Sequence, residues 1–214
     1  MVIDRLVLGL IKTNCYIITE NNSKDCVVID AGDRPKQIIE YLDEKGLTPK
    51  YFFITHGHFD HFSAIPALRE RFGGVPVVIH KDDALNLTDR KRSHYNGKVG
   101  LTASDITVDD GAVIELGNLC FKWINTPGHT QGSCVILLGD VMFSGDTLFL
   151  EECGRCDFHG GSYPQMLDSL KRIAGMDGDF KVFPGHGEGT TLDYERENNM
   201  YMREATGLGP PVYN

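Results

Sequence analysis

The segment that decides the fold is Thr55-His56-Gly57-His58-Phe59-Asp60-His61. It follows a short apolar run at residues 52–54 and precedes a run with helical spacing, which predicts a loop between a strand and a helix. Imidazole nitrogens and carboxylate oxygens are the ligands that a divalent ion such as zinc binds. The segment therefore predicts a metal site at the end of a strand, in preference to a loop whose polar groups only cap the next helix.

Three further polar segments each follow an apolar strand and each contain one potential ligand. These ligands are His129, Asp146 and His186, and Gly or Pro residues lie beside each of them. Gly and Pro favour tight turns, which hold a side chain at the end of a strand where loops converge over a rigid sheet. Each segment alone is a weak signal, but together they indicate one shared site.

The pattern around these segments predicts two groups of strands, each accompanied by helices. Predicted strands cover residues 3–8, 14–19, 26–30, 52–54, 75–79, 113–116, 120–124, 134–138, 141–144 and 181–183. Predicted helices cover residues 35–46, 64–72, 163–173 and 193–204, and residues 81–100 are expected to form a short helix and an exposed loop. Two stacked sheets with helices outside would bury such apolar strands on both faces.

Composition and charge narrow the class of protein. A chain of 214 residues with 41% hydrophobic and 24% charged residues is expected to fold as a single domain over residues 1–214. The formal net charge of -9 disfavours nucleic acid as a partner. We expect a cytoplasmic protein without a membrane partner, because the N-terminus lacks a signal-peptide pattern and no stretch approaches roughly 20 apolar residues. The six scattered cysteines do not indicate a disulfide framework.

Taken together and in this order, the polar segments resemble the metallo-β-lactamase superfamily, whose ligand pattern is H-x-H-x-D-H followed by a later His, Asp and His. The resemblance implies an α/β fold, a four-layer αββα sandwich with two divalent metal ions at one edge. Zinc is the expected metal, with iron or manganese as alternatives. By position, the resemblance assigns His56, His58 and His129 to the first metal, Asp60, His61 and His186 to the second, and Asp146 to a bridge between them.

Two such cations can ionise a shared water and stabilise the oxyanion formed when a carbonyl is attacked, so hydrolysis is the expected reaction. Asp60 would orient the attacking water, and the hydroxide would bridge the metals beside Asp146. A thioester suits this site because a leaving thiolate with a pKa of roughly 8.5 needs no strong general acid. The expected substrate is thus a small-molecule thioester, and the oligomeric state is left open.

The segment Gly154-Arg155-Cys156-Asp157-Phe158 resembles the G-R-x-D-F of short hydroxyacylglutathione hydrolase (glyoxalase II)-like proteins. This resemblance implies a hydroxyacylglutathione such as S-lactoylglutathione as substrate, although we expect the helical C-terminal domain of classical glyoxalase II to be missing. We predict that Arg155 contacts the substrate or braces its loop through Asp157, and that His159 contributes to the pocket. By contrast, His94 is expected to be solvated.

Several alternatives share parts of this pattern. The main one is an iron-dependent oxidoreductase resembling the persulfide dioxygenases, which have the same fold, the ligand motif and a G-R-x-D segment but use one iron. A lactonase or a β-lactamase fits less well because neither has the G-R-x-D-F segment. His58 argues against a flavin-linked oxidoreductase, which usually has Glu in the first motif. The pair Cys153 and Cys156 has the C-x-x-C spacing of redox sites, but no thioredoxin-like context accompanies it.

Overall fold

The structure is a computed structural model that describes residues 1–94 and 101–212. Its strands are β1 (Val2–Leu8), β2 (Thr13–Thr19), β3 (Asp25–Ile29), β4 (Thr48–Phe53), β5 (Val77–His80), β6 (Ile106–Val108), β7 (Val113–Leu116), β8 (Leu119–Asn125), β9 (Cys134–Leu138), β10 (Val141–Gly145), β11 (Leu148–Phe149), β12 (Glu152–Cys153), β13 (Lys181–Pro184) and β14 (Thr190–Thr191). Its helices are α1 (Pro35–Lys45), α2 (Ile65–Phe72), α3 (Tyr163–Ala174), α4 (Leu192–Asn198) and α5 (Met200–Ala205), with 3₁₀ helices at Phe59–His61 and Lys81–Thr88.

Most of these strands form two sheets. The first sheet has the order β1-β2-β3-β4-β5-β6, and the second has the order β14-β13-β10-β9-β8-β7. In the first sheet β3, β4, β5 and β6 are parallel, whereas β1 and β2 are antiparallel neighbours. In the second sheet β8 and β10 are each antiparallel to β9, and β10 is parallel to β13, so β8, β10 and β13 point the same way.

Three apolar layers hold the sheets and helices together. Aromatic rings fill the space between the sheets, where Phe53 of β4 contacts the rings of Phe121 and Trp123 at centroid distances of 5.2 and 5.3 Å. The outer face of the first sheet packs on α1 and α2, and that of the second packs on α3 and α5. The predicted four-layer αββα sandwich is therefore confirmed, and the parallel strands are buried on both faces as expected.

The helix boundaries follow from local sequence. Helix α1 starts at Pro35, whose fixed φ suits a first turn, and ends before Gly46, which has φ 62° and donates its amide to the carbonyl groups of Leu42 and Asp43. The described part of the chain contains no helix that is long and apolar enough to cross a bilayer.

The prediction of one closing helix over 193–204 is wrong, because the helix is interrupted at Asn199. This residue has an extended backbone (φ −74°, ψ 116°), and its Oδ1 accepts hydrogen bonds from the amides of Tyr201 and Met202 at the start of α5. Its Nδ2 donates to the buried carboxylate of Glu195 at 2.8 Å. Asn is a favoured N-cap, and the side chain competes here with continued helix.

Other differences are smaller. The strand predicted at 52–54 starts earlier, at Thr48, and β6, β11, β12 and β14 were not predicted. The helix predicted within 81–100 is the 3₁₀ helix Lys81–Thr88, and residues 95–100 of that segment lie outside the described residues. These short elements carry too few residues for a periodic pattern to show.

Candidate metal centre

All the predicted ligands follow strands whose carboxyl ends meet at one edge of the sandwich. The segment from His56 to His61 follows β4 of the first sheet, while His129, Asp146 and His186 follow β8, β10 and β13, which point the same way in the second sheet. The predicted loop between β4 and α2 is confirmed, and its second half forms the 3₁₀ turn Phe59–His61. The topology thus delivers side chains from both sheets to one place.

The first set of potential ligands, His56, His58 and His129, forms a tight triangle of ring nitrogens. The Nδ1 of His58 lies 3.1 Å from the Nε2 of His56 and 2.8 Å from the Nε2 of His129, and the two Nε2 atoms are 3.2 Å apart. Nitrogens at the usual zinc distance in a tetrahedral site would be about 3.3 Å apart. The triangle has the size that one such cation requires.

Hydrogen bonds outside the triangle fix which nitrogens face inward. The Nδ1 of His129 lies 2.7 Å from the carbonyl oxygen of Arg155, which can only accept, so Nδ1 carries the proton. The Nδ1 of His56 lies 3.2 Å from the hydroxyl of Thr55, whose own proton goes to Asp30. Both Nε2 atoms are therefore bare lone pairs that face each other, an arrangement that a bound cation would stabilise.

The second set, Asp60, His61 and His186, lies beside the first. The Nε2 of His186 and the Nε2 of His61 are 3.3 and 3.6 Å from the Oδ2 of Asp60. His61 is oriented from behind by Asp30, whose Oδ2 lies 2.9 Å from its Nδ1. A carboxylate behind an imidazole in this way holds the opposite nitrogen toward the centre.

Asp146 lies between the two sets. Its Oδ1 is 3.5 Å from the Nε2 of His61, and its Oδ2 is 3.5 Å from the Nε2 of His129 and 3.6 Å from the Nε2 of His186. One carboxylate thus faces a member of the first set and both imidazoles of the second. This is the position that the resemblance assigns to a bridging ligand.

The seven side chains also carry the electrostatic signature of a cation site. The carboxylates of Asp30, Asp146 and Asp60 outweigh the effect of burial and raise the pKa of His61 to about 10. Burial raises the pKa of Asp60, but the imidazoles of His61 and His186 outweigh it and hold this pKa below its ordinary value. Burial and the neighbouring rings lower the pKa of His56 and His58, which keeps both neutral and able to coordinate.

Unpaired atoms test the fit independently. The Nε2 of His61 and the Oδ1 of Asp146 are buried without a hydrogen-bond partner among the described residues; the Nε2 of His58 is also unpaired, but it is the Nδ1 of this ring that faces the triangle. A buried polar atom without a partner costs free energy. Unpaired atoms of this kind beside bare imidazole nitrogens therefore indicate that a bound cation is the missing partner. The residues present therefore fit two divalent cations.

The loop that carries His186 is held by the other sheet. Asn14 donates from Nδ2 to the carbonyl groups of Pro184 (2.9 Å) and Gly187 (3.0 Å), and Tyr16 donates its hydroxyl to Pro184 at 2.7 Å. Gly185 has no room for a side chain, because a Cβ there would lie 2.3 Å from the Oδ1 of Asp146. Asn14 and Tyr16 thus position a potential ligand.

A cavity of about 610 Å³ opens onto both sets. One side is a stack of three side chains: the Arg155 guanidinium lies 3.8 Å from the ring centroid of Phe158, and this ring stacks on His94 at 4.1 Å. Arg155 also makes two 2.7 Å bonds to the carboxylate of Asp157, which is the bracing contact that the sequence suggested. Ile11, from the turn between β1 and β2, lines the cavity as well.

One prediction about this cavity needs correction, and the one for His159 stays a prediction. His94 is half-buried, lines the cavity and has its ring 5.2 Å from that of His58, so it is not a solvated residue. His159 is exposed and is not among the described residues that line the cavity; its amide donates to the Nε2 of His94. A lone His in a polar loop has no pattern that would reveal either placement.

Comparison with known proteins agrees with the geometry. The profile of the Metallo-beta-lactamase superfamily matches residues 8–186. An uncharacterized protein of Mycobacterium tuberculosis is 33% identical, over 94% of this chain and 98% of its own length. The probable metallo-hydrolase YqgX of Bacillus subtilis is 29% identical (92% and 96% covered), and the probable polyketide biosynthesis zinc-dependent hydrolase BaeB of Bacillus velezensis is 30% identical (88% and 81% covered).

Solved structures show the same likeness. The B3 metallo-beta-lactamase BLEG-1 is 31% identical with a TM-score of 0.87, covering 94% of this chain and 99% of its own. TTHA1623 in a di-iron-bound form is 30% identical with a TM-score of 0.79 (92% and 98% covered), and ETHE1 from Myxococcus xanthus is 30% identical with a TM-score of 0.80 (99% and 93% covered). With its αββα sandwich and its ligand-bearing edge, the chain belongs to the metallo-β-lactamase superfamily.

Proposed function

We propose that this protein is a metal-dependent hydrolase of small-molecule thioesters, with two divalent cations held by the seven side chains described above. The observation that carries this proposal is the triangle of His56, His58 and His129, in which bare imidazole nitrogens face each other at 2.8 to 3.2 Å. When bound, two such cations supply a water that is ionised near neutral pH and a positive field for an oxyanion.

The residues of the chain divide the remaining work. Asp60 lies against the imidazoles of His61 and His186, and Asp146 lies between the two sets, so these two carboxylates would orient the attacking water once the cations are bound. Asp30 and the carbonyl group of Arg155 keep His61 and His129 in the tautomers whose Nε2 faces inward. None of these residues needs to donate a proton to a leaving thiolate, which supports a thioester as the substrate.

The cavity beside the sets supports a small substrate with a flat or anionic part. Arg155 presents a guanidinium at its rim, and Phe158 and His94 present stacked rings. Because Gly154-Arg155-Cys156-Asp157-Phe158 resembles the G-R-x-D-F of glyoxalase II-like proteins, we propose a hydroxyacylglutathione such as S-lactoylglutathione as the first substrate to try. We also propose a cytoplasmic role without nucleic-acid or membrane partners, and the net charge of -9 supports the absence of a nucleic-acid partner.

Zinc is the metal that we propose. The donor set of imidazoles and carboxylates suits zinc, and the similar BaeB is a probable zinc-dependent hydrolase. Iron has support as well, because the similar TTHA1623 was crystallised in a di-iron-bound form.

The test is a metal count on purified protein, followed by turnover of S-lactoylglutathione monitored at the thioester absorbance. We expect two metal ions per chain and thioester cleavage, with cleavage lost in Asp60→Ala and retained in Asp82→Ala, whose carboxylate is exposed on the neighbouring 3₁₀ helix. Failure of fully metal-loaded protein to cleave any of a panel of acyl-glutathione and other thioesters would overturn the proposed reaction.

The likeness to ETHE1 favours a second candidate, an oxidoreductase of the persulfide dioxygenase type with one iron. Oxygen uptake on glutathione persulfide separates the two candidates, because a hydrolase consumes no oxygen. A chromogenic β-lactam belongs in the same panel because BLEG-1, which is also similar, is a B3 metallo-beta-lactamase. The second set is complete, because Asp60, His61 and His186 lie in one cluster. This supports a site with two metal ions rather than one.

A further inference from the structure

Asp83 is a buried carboxylate outside the two sets of potential ligands. It lies in the first turn of the 3₁₀ helix Lys81–Thr88, and only 1% of its surface is exposed. Burial raises the pKa of this carboxyl group. A buried carboxylate must accept hydrogen bonds, and the groups that donate them indicate its role.

Asp83 accepts hydrogen bonds from two separate loops. Its Oδ2 accepts from the amide of Gly57 at 2.7 Å and from the hydroxyl of Thr130 at 2.7 Å, and its Oδ1 accepts from the amide of Gly132 at 2.8 Å. The hydroxyl of Ser133 lies 2.7 Å from that of Thr130 and supports it from the other side. All three donors therefore converge on one side chain.

Two of these three donors are direct chain neighbours of the first set. Gly57 lies between His56 and His58, and Thr130 directly follows His129. The loop with Gly57 follows β4 of the first sheet, whereas the loop with Thr130 follows β8 of the second. A single carboxylate thus fastens together the two loops whose imidazoles form the 2.8 to 3.2 Å triangle.

The close fit around Asp83 leaves no room for a side chain on the nearby glycine of either loop. A Cβ on Gly132 would lie 2.6 Å from the Cβ and the amide nitrogen of Asp83, and a Cβ on Gly57 would lie 2.5 Å from the Cβ of Asn86 in the same 3₁₀ helix. Both loops therefore contact this helix through their backbones. Hydrogen bonds at such a contact set the spacing of the loops rather than only covering polar groups.

The second set has a different support. Asp30 orients His61 and accepts from the amide and the hydroxyl of Thr55, whose hydroxyl oxygen faces the Nδ1 of His56; among the described residues no hydrogen bond joins Asp30 to the donors of Asp83. Asp83 thus joins the two loops of the first set, whereas Asp30 contacts His61 of the second set directly and reaches His56 of the first set only through Thr55. Replacing Asp83 should therefore affect metal binding differently from replacing Asp30.

We propose that Asp83 is a positioning residue for the first metal, which sets the distance between the His56 and His58 loop and the His129 loop. The inference rests on the proposed function only in that the seven side chains bind two cations. Loss of outer contacts to metal ligands typically lowers metal affinity about 10- to 100-fold. We expect a loss of this size for the first metal, with the affinity for the second unchanged.

The experiment measures zinc affinity directly, by competition with a chromophoric chelator, and needs no substrate. Asp83→Ala and Asp83→Asn are compared with Asp82→Asn, since Asp82 is a neighbouring exposed carboxylate that pairs with His80. Thr130→Val, which removes one hydroxyl donor, is compared with Thr130→Ser, which retains it. We expect weaker zinc binding in Asp83→Ala, Asp83→Asn and Thr130→Val, and wild-type binding in Asp82→Asn and Thr130→Ser.

Two single-ligand variants show which metal site loses affinity when Asp83 is replaced. In Asp60→Ala the second set lacks a ligand, so the remaining zinc occupies the first set, and adding Asp83→Ala should weaken it 10- to 100-fold. In His58→Ala the first set lacks a ligand, and adding Asp83→Ala should leave the remaining zinc affinity within about twofold. Circular dichroism of each zinc-free variant checks folding, and Thr130→Val decides the matter if Asp83→Ala does not fold.

Equal weakening in both backgrounds would overturn the positioning role and leave Asp83 as a general stabilising residue. Unchanged zinc affinity in Asp83→Ala and Thr130→Val would overturn it as well. Failure of the wild-type protein to bind two zinc ions is a different result, because it would contradict the proposed metal centre itself.

Discussion

The Nδ1–H of His129 donates a 2.7 Å hydrogen bond to the carbonyl oxygen of Arg155. The peptide group that orients a potential metal ligand therefore belongs to the residue whose side chain faces the cavity. Because the carbonyl group is present in any residue type, a substitution at position 155 changes the cavity without removing the bond to His129. This separation allows the side chain to be tested on its own.

We predict that Arg155→Ala raises KM about tenfold, with metal content and kcat near wild type, because one charge-assisted contact to the substrate is lost. Steady-state kinetics with the best thioester and a metal count provide the measurement. Asp157→Asn is the matched variant, since it removes the bracing partner and leaves the guanidinium. A folding loss in both variants with unchanged KM in the soluble fraction would instead identify the pair as a brace.

His94→Ala and Phe158→Ala should each lower kcat/KM by about tenfold, because each removes a ring from the wall of the cavity. His159→Ala is the control, because the exposed His159 side chain lies beside this wall but does not line it. Kinetics of the three variants at equal metal loading give the comparison. A larger effect for His159→Ala than for His94→Ala would support the prediction for position 159.

Chelation of the metal should lower the melting temperature. The folded chain gathers ligands from both sheets, whereas the unfolded chain does not, so bound metal stabilises the folded state. At a free zinc concentration 100 times the Kd, one site contributes about 2.7 kcal/mol to the free energy of unfolding. Calorimetry with and without chelator measures the change, and readdition of zinc should reverse it. An unchanged melting temperature would contradict a metal centre that joins the sheets.

Phe53→Ala should destabilise the protein by about 3 to 5 kcal/mol, the usual cost of a large cavity in a core. Its ring lies between the sheets against Phe121 and Trp123, and it is fully buried. Denaturant unfolding of the metal-free protein measures the loss. Val113→Ala, at a half-exposed strand position, is the control and should change the free energy of unfolding by about 0.5 kcal/mol or less.

Cys153 and Cys156 should remain thiols and react slowly with alkylating agents. Both are free and partly buried, and burial raises the pKa of Cys153 to about 12 and that of Cys156 to about 11. Since the thiolate is the reactive form, a raised pKa slows alkylation near neutral pH. Mass spectrometry over a time course of alkylation should show the exposed Cys120 modified first. A mass 2 Da lower, lost on reduction, would reveal a disulfide instead.

The seven potential ligands could be predicted from sequence because each lies in a polar segment directly after an apolar strand. His129 and His186 are far from the first motif along the chain, yet parallel strand ends bring them to the same edge. The four-layer fold was predictable for the same reason, since strands of continuous apolar residues must be covered on both faces. The spacing of the motifs and the chemistry of their side chains were therefore enough to predict the fold and the potential ligands.

The supporting residues could not be predicted in this way. Asp30 and Asp83 are single carboxylates whose role depends on which backbone amides lie nearby, and no periodicity records that. His94 lies in a loop and has a left-handed backbone conformation, with φ 57°. The direction of its side chain depends on this local conformation, which the sequence pattern does not indicate. Asn199 likewise interrupts a helix because of a side-chain hydrogen bond to the following turn.

The clamp that Asn14 and Tyr16 place on the loop of His186 has a consequence for the order of assembly during synthesis. The triangle of His56, His58 and His129 is encoded within the first 129 residues, but the other cluster lacks a member until residue 186 has been made and returned to the second strand of the chain. The hairpin of β1 and β2 therefore gains these contacts only after the loop around residue 186 has been made. Truncation before residue 184 would leave Asn14 and Tyr16 without these hydrogen-bond partners and the second set without His186.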